Sequence, residues 1–136
     1  MKLVWQSSKP YPVGIRLVLL IYVVAFSIGT ATHLISILNG WCLPHHPLVN
    51  SYWASLVLLD PLAIVLLLKA PKAGLLLALV IMVTDVGINS AVSYMYLDRG
   101  GVYAVNYFVQ LQSVFLGFLL GSAPFVGRYV SRQDAA

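Results

Sequence analysis

Two aspartates stand inside the most apolar stretches of this chain. Asp60 lies in "ASLVLLDPLAIVLLL" (54–68) and Asp85 in "LLLALVIMVTDVGINSAV" (75–92), although the whole sequence has only four acidic residues. Carboxyls at membrane depth are costly, and they mark proton relays, ion pathways or ligand counter-charges. Two of them at one depth can share a proton, hold a cation, or divide acid and base roles. Groups of complementary chemistry lie in neighbouring segments. His33 is the one base placed well inside an apolar run, since Arg16 is near a run's end and can snorkel to the surface. Asn89, Asn106 and Gln110 offer neutral donors and acceptors, and Trp53 and Tyr94 offer aromatic walls. Asp60, Asp85, His33, Asn89, Gln110, Asn106, Trp53 and Tyr94 are therefore the candidate proton- or ligand-binding residues.

Other chemistries find less material. There is no GxSxG, HExxH, phosphate-binding loop or CxxC. A single cysteine, Cys42, rules out an internal disulfide or a thiolate metal cluster. His45 and His46 are adjacent, so on a regular element they point apart, and they read as loop histidines. His33 as a haem ligand would need a second histidine at its own depth, and the sequence supplies none. No cofactor and no metal are expected.

The elements that position these groups follow from composition. Sixty per cent of the 136 residues are hydrophobic and 9% charged, against about a quarter charged in soluble domains. Crossing a hydrocarbon core of about 30 Å takes roughly 20 helical residues. Four segments qualify: 13–38, 52–68, 73–97 and 102–126. The first is too long for a signal-peptide core of roughly 7–15 residues. A longer loop at 39–51 and short turns at 69–72 and 98–101 separate them. The fold expected is all-α: a polytopic integral membrane protein forming an up-down bundle of four transmembrane helices. Residues 1–136 make a single membrane domain.

Charge gives the orientation. Lys2, Lys9, Arg16, Lys69, Lys72, Arg128 and Arg132 fall on one side of this arrangement and only Arg99 on the other. The excess of positive charge on cytoplasmic loops then places both termini inside. The net charge of +4 thus reports topology, and no nucleic-acid partner is expected. The location expected is a cell membrane, by its compact format a bacterial inner membrane.

Spacing assigns the faces. Tyr22, Phe26, Gly29, Thr30, His33 and Ser36 share a face of the first helix, and Asp85, Asn89, Ser93 and Tyr96 share one on the third. On the fourth, Tyr103, Asn106, Gln110, Ser113, Gly117 and Gly121 form a stripe. Lipid cannot satisfy these groups, so all the stripes are expected to face inward. Gly117 and Gly121 are expected to pack the fourth helix within the bundle, with a homodimer or another membrane protein as the alternative partner. Pro61 cannot donate to the carbonyl of Val57, so a free acceptor is expected beside Asp60.

Counting from the ends puts both acids near the midplane, under a cavity open outward or laterally. Three states would neutralise them: protonated acids bonded to Asn89 and Gln110, an Asp–His pair, or carboxylates balanced by a cation. The function expected is binding of a proton, a cation or a small lipophilic ligand, related to transport. An intramembrane acid–base enzyme of isomerase type and an accessory subunit of a membrane complex are the alternatives.

Overall fold

The computed structural model describes residues 11–40, 46–97 and 103–134. They form four helices: α1 (Val13–Leu38), α2 (Pro47–Lys69), α3 (Pro71–Leu97) and α4 (Tyr103–Asp134). All four are long and apolar enough to cross a membrane. Cys42 and His45 lie outside the described residues, as do the side chains of Tyr96, Tyr103 and Asn106.

Proline and glycine punctuate these helices. Pro12, extended at φ −53° and ψ 149°, leads into α1. Gly40 ends it in the left-handed region at φ 67°, where a residue without Cβ is at ease. The second helix starts at Pro47, five residues before the hydrophobic run expected from residue 52. Its fixed φ suits a first helical turn, so the chain is helical before it becomes continuously apolar. Helix α4 likewise runs on to Asp134, past the apolar limit at 126. Hydropathy ends a span without ending a helix, and Gln133 Nε2 still donates to Tyr129 Oη there (2.8 Å).

Successive helices lie side by side, whereas α1 and α4 meet only sparsely. The two ends of this seam differ. At one end Tyr11, just ahead of α1, packs against Tyr129 of α4, with ring centroids 5.2 Å apart. Further along, Tyr22 bonds Ser122 (2.7 Å), and Tyr22 and Phe26 meet Phe115 edge-on. Beneath them Leu19, Leu56, Leu67, Leu119 and Val126 are fully buried. Toward the opposite end the seam opens.

The middle pair, α2 and α3, is tighter. Only Ala70 separates them. A Cβ on Gly74 would stand 2.6 Å from Leu67 Cα, so glycine is what allows the turn. Further up, Tyr52 Oη bonds Thr84 Oγ1 (2.8 Å) and Trp53 reaches Asn89.

The stripe expected to face inward from α4 does not. Gln110, Ser113, Gly117 and Gly121 are exposed, and a Cβ on either glycine would meet nothing within 4 Å. The inward face is a different helical phase, carrying Gln112, Phe115, Leu119, Ala123 and Val126. Bulk decides the matter, because the larger apolar side chains fill the core at native density. The small polar residue is content outside: Ser113 Oγ donates to the carbonyl of its own helix at Val109 (2.7 Å).

Candidate functional site

The two aspartates, one on α2 and one on α3, are buried, at 3% and 4% exposure. Both line one cavity of about 280 Å³. Each helix contributes to it: Phe26, Gly29 and His33 from α1, Asp60 from α2, Ile81 and Asp85 from α3, and Phe108, Gln112 and Phe115 from α4. The walls are mainly aromatic and aliphatic, with the two carboxyls as the acidic groups.

Asp85 is fully engaged. Asn89, one turn further along α3, donates Nδ2–H to Asp85 Oδ1 (3.0 Å). Gln112 of α4 donates from Nε2 to Asp85 Oδ2 (2.7 Å). The amides also join each other, Asn89 Nδ2 donating to Gln112 Oε1 (3.0 Å). Trp53 of α2 closes the set, its indole N–H donating to Asn89 Oδ1 (2.9 Å). Both Asp85 oxygens accept, and three helices are tied together at one point. Hydrogen bonds to a charged group contribute about 1.5–3 kcal/mol each.

Asp60 has no such support. Among the described residues its carboxylate makes no hydrogen bond, and the charge that bears on it is that of Asp85. Its place is carved by an absent side chain. A Cβ on Gly29 would sit 2.7 Å from Asp60 Oδ2, so the carboxylate lies directly on the backbone of α1. Helix α2 continues through the adjacent Pro61, which has no N–H for the carbonyl of Val57.

A second space of about 610 Å³ adjoins the first, toward the open end of the seam. The two share Thr32, His33, Phe108 and Gln112, so His33 stands where the deep cavity meets this vestibule. Trp53 and Asn89 line the vestibule.

The structure brings Asp60, Asp85, His33, Asn89 and Trp53 to these two adjoining spaces. Gln110 is not among them, because it faces outward, and Gln112 holds the position that Gln110 was expected to fill. Tyr94 is 78% exposed and lines neither space. The signal for Gln112 was present in the sequence. It lies at three- and four-residue steps from Phe115, Leu116 and Leu119, the bulky face of α4. Among the described residues no three His, Cys, Asp or Glu side chains gather as a metal site requires.

No protein-family profile, curated protein or solved structure matches this chain. Its site must be read from its own chemistry.

Proposed function

We propose that the protein sits in a cell membrane with both termini cytoplasmic and binds a small lipophilic cation, a protonated amine, between α1 and α4. Asp60 is the counter-charge. One observation carries this reading: a buried carboxylate without a hydrogen-bond donor among the described residues, facing a largely apolar cavity. Leaving such a group uncompensated costs several kcal/mol, and an ammonium placed against it offsets that cost.

The surroundings favour an organic cation over a bare metal ion. A dehydrated metal ion needs several oxygen ligands, and here both oxygens of Asp85 are already taken by Gln112 and Asn89. An alkylammonium needs one carboxylate, and its carbon body suits the faces of Phe26, Phe108 and Phe115. The sparse α1–α4 seam supports lateral entry from the bilayer. The distribution of Lys and Arg, seven of eight on one side, supports the orientation. The buried layer around Tyr22, Leu56 and Leu67 caps the cavity on the terminal side, so release there would require α1 and α4 to part.

The test compares octylamine with 1-octanol, chains of equal length with and without charge, on purified protein. Trp53 emission reports occupancy in a Trp5→Phe, Trp41→Phe background. Octylamine should bind the tighter of the two, and Asp60→Asn should weaken it at least about tenfold while leaving octanol unchanged. Equal loss of both compounds, or no loss of either, would sink the proposal.

A further inference from the structure

The vestibule differs in chemistry from the cavity beneath it. Its lining includes the polar Ser36, Asn39 and Ser51 beside the apolar Ile35 and Val109. Apart from His33, no ionisable side chain among the described residues lines it. Its polar groups also have capacity to spare. Ser36 Oγ donates to the carbonyl of Thr32 (2.8 Å), which leaves its lone pairs open to a donor. The side chains of Asn39 and Ser51 make no hydrogen bond to another described residue.

We infer that the vestibule is a second, uncharged subsite of the same site, so that the ligand is an amphiphilic amine bearing a neutral hydrogen-bonding group, such as a hydroxyl, about 10 Å from its nitrogen. The inference rests on the amine reading of Asp60. The spacing comes from α1: Gly29 lies against Asp60 and Ser36 lies in the vestibule, seven residues or about 10 Å further along the axis. The two spaces adjoin over that distance, because Thr32, His33, Phe108 and Gln112 border both. A wholly apolar ammonium would leave the vestibule groups facing only water. A ligand with a second charge would meet no opposite charge among the described residues there.

Octylamine and 8-amino-1-octanol test this, since the latter adds only a hydroxyl at the required distance. In the wild type and in Ser36→Ala/Ser51→Ala, binding of each is followed by Trp53 emission as above. The double variant should weaken 8-amino-1-octanol about fivefold, the value of one hydrogen bond, and leave octylamine unchanged. Ser36 and Ser51 are not buried, so the fold is kept, and the unchanged octylamine affinity verifies it. If both ligands respond equally or neither responds, the vestibule is a wetted mouth without recognition and the inference fails. The two readings fail separately: octylamine binding that survives Asp60→Asn removes the carboxylate reading, whatever the serines do.

Discussion

Asp60 and Asp85 are the same residue type, buried to the same degree on adjacent helices beside one cavity, yet their surroundings are opposite. Asp85 accepts from two amides that are themselves bonded to each other and to Trp53. Asp60 lies on the bare backbone of Gly29 with no donor among the described residues. One acid has its partners built in, and the other has room where a partner would go. Burial alone does not distinguish the two carboxyls; the donors do.

The contrast can be broken most forcefully by replacing each acid with leucine. Asp85→Leu leaves Asn89 and Gln112 each short of an acceptor, and should destabilise by about 3 kcal/mol. Asp60→Leu removes an uncompensated polar group, and should be neutral or stabilising. Thermal unfolding in detergent would show it, and equal losses in the two variants would erase the distinction. Next in size is the pair of glutamines. Gln112→Leu removes a donor to Asp85 and should lower stability by about 1–2 kcal/mol, whereas outward-facing Gln110→Leu should stay within about 0.5 kcal/mol. The smallest step adds one methyl. Gly29→Ala places a carbon 2.7 Å from Asp60 Oδ2, too close for the carboxylate to stay where it is. It should weaken octylamine binding severalfold while moving the unfolding midpoint by no more than about 1 kcal/mol in equivalent stability. An unchanged affinity would mean that the carboxylate is free to turn elsewhere.

Much of this arrangement is legible in the sequence. The limits of α1 fall where the hydrophobic run begins and ends, at 13 and 38. Tyr22, Phe26, Gly29 and His33 share the inward face assigned to them, as do Asp85 and Asn89. These faces were legible because bulky residues and polar residues agree on one helical phase. On α4 they disagree. Its serine and glycines follow one phase and its bulky apolar residues another, and packing sides with the latter. That choice moves the useful amide from Gln110 to Gln112. Nor could the sequence say which acid would find donors, because Gln112 reaches Asp85 from a different helix, 27 positions away.

The single residue between α2 and α3 has a further consequence, for the order of assembly. Short loops cost the least entropy to close, and local contacts form first. With only Ala70 between its arms, the hairpin that carries Asp60 and Asp85 is the most local unit in the chain. The seam contact between Tyr22 and Ser122 spans 100 positions and belongs to the last stage. A chain that closes its shortest loops first therefore brings the two helices that carry the acids together before either wall of the cavity exists. Gln112, arriving with α4, then completes the support of one acid and leaves the other bare.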